Sequence, residues 1–407
     1  MRKEKTLGWR WLLAPIVLAS VGCSSVPPTQ APLIRSPEIL EIARAETDYA
    51  PLATVQVAYA TDRERGPDMG RTGPGTYQNE RGMQVWLGFG ELRVDGEKQI
   101  NLVDIEEHGV LLDEVVALDP LPNRVLSEEE QAFYQQLNAQ LAQAETSDLV
   151  IYISGFRVPF TNPLLVSGQL TSLIEGAAVF LGYSWPSTPS LMAYLRDIET
   201  AEHSSRSLRL LIEHLAKNTN ARQIHILGYS AGTRLVARAL HEITLLTHGN
   251  EQVAQQRYKI GHVAMVSSDM DRELFGSFLA DDIGAVTQSL TVYRSKKDGV
   301  LGLAGWIFNG QRLGRLEAYE DLEPELLRAL LDYEKLDVID VSDAPFVNEA
   351  SGHGYFLRSP WVSSDVLLTI LTDLQPSQRG LIRESGSLSW TFPPDYPARL
   401  RQLATHD

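Results

Sequence analysis

A chain of 407 residues, 43% hydrophobic and 22% charged, has the composition of a globular protein with a sizeable core, arranged as one large domain with an extension or as two domains. Its 36 Lys and Arg against 52 Asp and Glu give a formal charge of −16 with no basic patch, so nucleic acid is not an expected partner. A single cysteine rules out an intramolecular disulfide and a cysteine cluster for a metal.

Residues 1–22 have the layout of a signal peptide. Arg2, Lys3, Lys5 and Arg10 form a basic start, and the apolar run 11–21 is too short to span a bilayer. The run ends at Ser20-Val21-Gly22-Cys23, followed by Ser24 and Ser25, which resembles a bacterial lipobox. That resemblance implies lipidation of Cys23 as the first mature residue. It also implies, from Ser rather than Asp after the cysteine, sorting to the outer membrane, facing the periplasm. Two or three acyl chains anchor a protein stably where one is marginal.

Residues 23–51, with Pro27, Pro28, Pro32, Pro37 and Pro51 among small and polar residues, read as a lipidated tether with one short helix at 37–44. Residues 52–126 form a β-rich N-terminal extension with strand-like runs at 54–60, 83–89, 100–105 and 110–118, broken by a glycine-rich loop at 65–77. Ser127 three residues ahead of Glu130 forms a capping box and starts a helix with Phe133, Leu137 and Leu141 facing inward.

From 127 to 375 the pattern changes. Continuous apolar runs at 149–153, 177–183, 224–227, 260–267, 290–293 and 336–341 recur with helical stretches between them, as a parallel sheet covered on both faces requires. Leu208, Leu211, Ile212 and Leu215 keep helical spacing in one such stretch. The fold class is therefore α/β, a mostly parallel sheet with helices on both faces plus the N-terminal β-rich extension. Residues 376–407 read as a tail or small C-terminal lobe.

The run 224–227 leads into Gly228-Tyr229-Ser230-Ala231-Gly232, and an amphipathic segment with Leu235, Val236, Ala239, Leu240 and Ile243 on one face follows. Strand, Gly-x-Ser-x-Gly, helix is the nucleophile elbow of an α/β-hydrolase fold, a strained turn that lifts a serine above the sheet edge. Serine needs a base, and the base needs a third group to orient it. In this fold they follow in the order Ser, Asp or Glu, His. Of the nine histidines, only His353 and His406 follow the last core strand, and His353 sits in the glycine-flanked loop Ser351-Gly352-His353-Gly354. For the acid, Asp298 follows the second strand after the elbow and Asp269 the first; Asp298 is favoured and Asp269 is the alternative. The oxyanion hole needs two backbone N–H groups, expected from Ala231 and from Phe156 in Ser154-Gly155-Phe156-Arg157.

With these segments in view, the chain resembles a bacterial α/β-hydrolase family long filed as a domain of unknown function, within the esterase/lipase superfamily. Ala60-Thr61-Asp62-Arg63, Ile153-Ser154-Gly155-Phe156, Tyr183-Ser184-Trp185-Pro186-Ser187, the elbow, Ser267-Ser268-Asp269-Met270-Asp271, Tyr293-Arg294-Ser295-Lys296-Lys297-Asp298 and Gly352-His353-Gly354-Tyr355-Phe356 run collinearly from about residue 53 to 360. The resemblance implies the triad Ser230, Asp298, His353. Two positions depart from the family's usual pattern: Ser154 stands where His is usual, and Tyr229 where His is common.

Trp185 is expected as a buried aromatic at a strand end or as a wall of the cleft. The runs 164–174 and 300–308 are expected as core helices or as mobile walls for an acyl chain. His241-Glu242 opens a zinc-motif pattern that Leu245 leaves incomplete, so no metal and no cofactor is expected. The expected function is a serine hydrolase, esterase- or lipase-like, cleaving small ester or lipid-like substrates at the envelope through an acyl-enzyme. The alternatives are a peptidase or acyltransferase with the same triad, or a non-catalytic lipoprotein that keeps the fold for binding.

Overall fold

The structure, a computed structural model, describes residues 34–44, 54–66, 76–94, 100–110, 125–174, 176–188, 190, 193–308, 310–315, 324–349 and 351–404. Cys23, the signal peptide, most of the tether, the 111–118 part of the fourth expected N-terminal run and His406 lie outside these residues.

The chain enters through the expected short helix α1 (Glu38–Arg44) and continues as β1 (Thr54–Arg65), β2 (Tyr77–Val94) and β3 (Ile100–Val110). Then come α2 (Glu128–Gln143), β4 (Leu149–Ile153), α3 (Thr161–Ile174), β5 (Val179–Ser184), α4 (Tyr194–Asn218), β6 (Ile224–Tyr229) and α5 (Gly232–Thr247). They are followed by α6 (Glu251–Tyr258), β7 (Ile260–Val266), α7 (Arg272–Ala280), β8 (Ser289–Arg294), α8 (Gly299–Phe308), α9 (Pro324–Leu331) and β9 (Leu336–Asp340). The last elements are α10 (Tyr355–Arg358), α11 (Pro360–Leu371), β10 (Ser389–Thr391) and α12 (Tyr396–Ala404).

All ten strands of the described residues join one sheet in the order β10-β9-β8-β7-β6-β4-β5-β1-β2-β3. Every pairing from β10 to β1 is parallel, and β1-β2-β3 close the edge as an antiparallel meander. The N-terminal strands are thus not a separate layer: β1 runs beside β5, pairing Ala58 with Leu181 and Thr61 with Ser184. Residues 376–404 are likewise part of the fold, since β10 adds a parallel edge strand to β9 and α12 packs against α1.

The continuous apolar runs make physical sense in this frame. Successive side chains of a strand point to opposite faces. Leu149, Ile151 and Ile153 of β4 pack with α4 and α5, and Val150 and Tyr152 pack with α3 and α11. Both faces are dry, so each strand must be apolar throughout. The capping box forms as expected: Ser127 Oγ accepts from the Glu130 N–H at 3.1 Å, and Glu130 Oε2 from the Ser127 N–H at 2.8 Å. The run 164–174 is a core helix, with Leu164, Leu165, Val166 and Leu170 buried. The run 300–308 is helical too, with Leu301 buried.

Candidate active site

β6 ends at the centre of the sheet and turns sharply into α5, which places Ser230 at the carboxyl edge, where open α/β sheets bind ligands. Ser230 has φ 52, in the left-handed region. Such a backbone costs on the order of 1–3 kcal/mol in a residue with a side chain and persists only where its surroundings over-determine it. Four hydrogen bonds do so here. The Ser230 N–H donates to Val266 O at 2.9 Å, and its carbonyl accepts from the Thr233 N–H at 3.1 Å, the Thr233 hydroxyl at 2.6 Å and the Asp269 N–H at 3.4 Å. Close approach explains the second motif glycine: a Cβ on Gly232 would come within 2.5 Å of Ser154 O and 2.7 Å of Ile153 O.

His353 arrives from the loop after β9. Its Nε2 lies 2.8 Å from Ser230 Oγ and its Nδ1 2.7 Å from Asp298 Oδ2. The loop is pinned from two sides. Gly299 N–H donates to Ser351 O at 2.8 Å, and His353 O accepts from the hydroxyls of Tyr229 at 3.1 Å and Ser267 at 2.9 Å. Tyr229 therefore replaces the usual histidine with a strut that holds the base's own backbone. Asp298 is fully buried, and its second oxygen, Oδ1, accepts from the Leu301 N–H at 3.0 Å, so α8 fixes the carboxylate's orientation. Burial works to lower the His353 pKa. The Asp298 charge and hydrogen bond, with a further push from Asp269, outweigh it and hold the imidazole above its ordinary value.

Asp269, the alternative acid, is bonded elsewhere. Its Oδ2 accepts from Arg234 Nε at 3.1 Å and Tyr194 OH at 2.6 Å, and its Oδ1 lies 3.6 Å from Arg312 Nε. The residue on His353 is Asp298.

The two expected oxyanion donors sit beside the serine. Ala231 follows it directly. Phe156 lies one residue beyond Gly155, whose built Cβ would approach Ser230 Oγ to 3.4 Å. Among the described residues, neither the Ala231 nor the Phe156 N–H makes a backbone hydrogen bond, which leaves both available to a ligand oxygen. Trp185 is buried and also shapes the site, because its Nε1 donates to Ser154 O at 2.8 Å and ties the β5 exit to the loop that carries Phe156.

Arg63 escaped the sequence reading as a site residue. Fully buried at the end of β1, it donates from Nη2 to Val158 O at 3.0 Å, from Nε to Ser184 Oγ at 3.0 Å, and from Nη1 to Asn79 Oδ1 at 2.7 Å and Ser187 O at 3.3 Å. One guanidinium thus spans the loops after β4 and β5. A lone Arg at the end of a strand-like run carries no local signal of such a role.

The other described histidines serve elsewhere: His225 stacks on His262 at 5.1 Å, and His241 pairs with Asp281 at 2.8 Å. Among the described residues no group of three His, Cys, Asp or Glu side chains converges as a metal site, and no helix is long and apolar enough to cross a membrane.

A parallel sheet with a serine elbow at its centre and a histidine delivered after the final core strand defines the α/β-hydrolase class. Residues 129–371 match the model of an alpha/beta hydrolase family of unknown function (DUF900), and the chain belongs to that family. No curated protein matches it.

Proposed function

We propose that the protein is a serine hydrolase that cleaves carboxylic esters through an acyl-enzyme on Ser230. The observation that carries this reading is the unbroken contact from Ser230 Oγ to His353 Nε2 and from His353 Nδ1 to Asp298 Oδ2. His353 takes the Ser230 proton as the oxygen attacks the ester carbonyl, and Asp298 orients the imidazole and stabilises its charged form. The tetrahedral oxyanion is received by the N–H groups of Ala231 and Phe156, each worth about 3 kcal/mol of transition-state stabilisation. On collapse, His353 returns the proton to the departing alcohol. Water, activated by the same imidazole, then attacks the acyl-enzyme, releases the acid and restores the Ser230 hydroxyl.

The lipobox-like Ser20-Val21-Gly22-Cys23 supports placing this activity at a bacterial cell envelope, tethered through lipidated Cys23 and facing the periplasm from the outer membrane.

The test is labelling with a fluorophosphonate probe. The folded wild-type protein is expected to label and Ser230→Ala to stay dark; an unlabelled, folded wild type would overturn the reading in favour of a binding role.

A further inference from the structure

Beside the nucleophile lies a narrow, closed cleft whose lining includes both expected oxyanion residues, Phe156 and Ala231. Across from them stand Tyr194, Arg234 and Asp269. Arg234 is one turn along the elbow helix from Ser230 and 8% exposed. Its Nε is bonded to Asp269, but its Nη2 is buried and has no hydrogen-bond partner among the described residues. A buried guanidinium donor left unmet is costly, and a protein that keeps one at its nucleophile has a reason to.

Asp269 faces two guanidiniums, Arg234 at 3.1 Å and Arg312 at 3.6 Å. The other charged wall, Asp197, is already met by the Thr188 N–H and hydroxyl and by Arg196 Nε at 3.8 Å. Asp269 is thus shared between two guanidiniums, and a carboxylate oxygen is the acceptor that a guanidinium N–H such as Arg234 Nη2 binds most strongly.

The side of the ester that enters follows from the chemistry. His353 must hand its proton to the leaving alcohol, and it is not among the cleft's walls, whereas the oxyanion residues are. The cleft takes the acyl part. We propose that it is an acyl subsite with an anion anchor, and that the protein acts on esters whose acyl chain ends in a carboxylate, held by Arg234. This rests on the serine-hydrolase reading above and adds the substrate class. The cleft admits no water-sized sphere in this conformation, so the Tyr194 ring, which now lies edge-on to Phe156 at 5.1 Å between ring centres, must swing aside for the chain to enter.

The experiment compares para-nitrophenyl hemiglutarate with its neutral counterpart, para-nitrophenyl methyl glutarate, on the full chain, with hemisuccinate and hemiadipate to vary the reach. The wild type is expected to favour the best hemiester at least tenfold in kcat/KM. That ratio is expected to fall to near one in Arg234→Gln and to recover in part in Arg234→Lys, which keeps the charge but not the fork. A fluorophosphonate-reactive wild type that hydrolyses the neutral diester as well as or better than every hemiester would overturn the subsite. Titrating monomethyl glutarate into Ser230→Ala and into Ser230→Ala/Arg234→Gln decides the same point without turnover. Binding to the first and not the second is expected, and equal or absent binding would refute the anchor. Failure to label would instead strike the hydrolase reading alone.

Discussion

Gly155 lies against the nucleophile so closely that a Cβ built on it would sit 2.8 Å from the Ser230 Cβ. Neither partner has room to yield: Ser230 is fixed at φ 52 by hydrogen bonds to its N–H and carbonyl, and Gly155 precedes an expected oxyanion donor. Gly155→Ala must push the oxyanion loop away from the serine. Misplacement on the ångström scale costs about 100-fold in rate. Steady-state kinetics are expected to show that loss mainly in kcat, with thermal unfolding little changed.

The two candidate acids separate by phenotype. Asp298→Asn keeps the packing but removes the charge that orients His353, and the rate is expected to fall about 10,000-fold. Asp269→Asn leaves His353 its partner but strands Arg234 and Arg312, 8% and 5% exposed, without their shared carboxylate. Removing one member of a buried charge cluster costs about 3–5 kcal/mol, so this variant is expected to lose stability far more than chemistry. Chemical denaturation run beside ester hydrolysis on both variants checks the ranking, and the reverse ranking would move the acid to Asp269.

The pH profile follows from the same pair. The base is the neutral imidazole, so kcat/KM rises with pH as His353 loses its proton. Because the His353 pKa is held above its ordinary 6.5, the midpoint of the acid limb is expected above 6.5. Asp298→Asn removes the two largest raising causes and leaves burial, so in the residual activity of that variant the midpoint is expected to move down. The linkage for folding has the opposite sign. The charged His353–Asp298 pair contributes stability fully below pH 6.5, and that contribution disappears as pH rises through the raised pKa.

What the sequence disclosed and withheld follows from the range over which each signal acts. The elbow was legible because two glycines, a strand and an amphipathic helix are all local, and His353 because chain order admits few histidines after the last core strand. Asp298 was favoured over Asp269 by its place after the second strand beyond the elbow, but Asp269 stayed an alternative, since both follow strands at the same sheet edge. What separates them is the arginine pair, one on the elbow helix and one beyond α8, and that meeting exists only in the fold. The parallel pairing of β1 with β5 and the three-residue β10 were hidden for the same reason: strand pairing across long sequence separations leaves no local pattern. The run 164–174 reads first as a core helix, with a cleft wall as the alternative, until β1 and β5 are seen beneath it.

The proposed anchor is expected to be separable from the chemistry. Cys23→Ser removes the only thiol in the chain and with it the proposed acceptor for acyl chains. The prediction is that the protein, expressed in a bacterium with lipoprotein processing, leaves the membrane fraction and loses metabolic labelling with palmitate, while ester hydrolysis per labelled serine is unchanged. A variant that stays in the outer-membrane fraction would show that something other than Cys23 holds it there.

Arg63 tests whether the site depends on a residue that touches none of the reacting atoms. Its planar fork reaches Val158 O, Ser184 Oγ, Ser187 O and Asn79 Oδ1 in different directions. Ser187 Oγ completes the link by accepting from the Val158 N–H at 3.1 Å. Lysine preserves the charge but is a point donor on a flexible stem and cannot reach all four. Arg63→Lys is therefore expected to cost about 3 kcal/mol of stability, as hydrogen bonds from a buried charge are lost. The loop after β4, which carries Phe156, should also loosen, so kcat is expected to fall in a variant that still binds a substrate analogue. If kcat held while only the melting temperature dropped, Arg63 would be a brace for the sheet edge with no influence on the oxyanion loop.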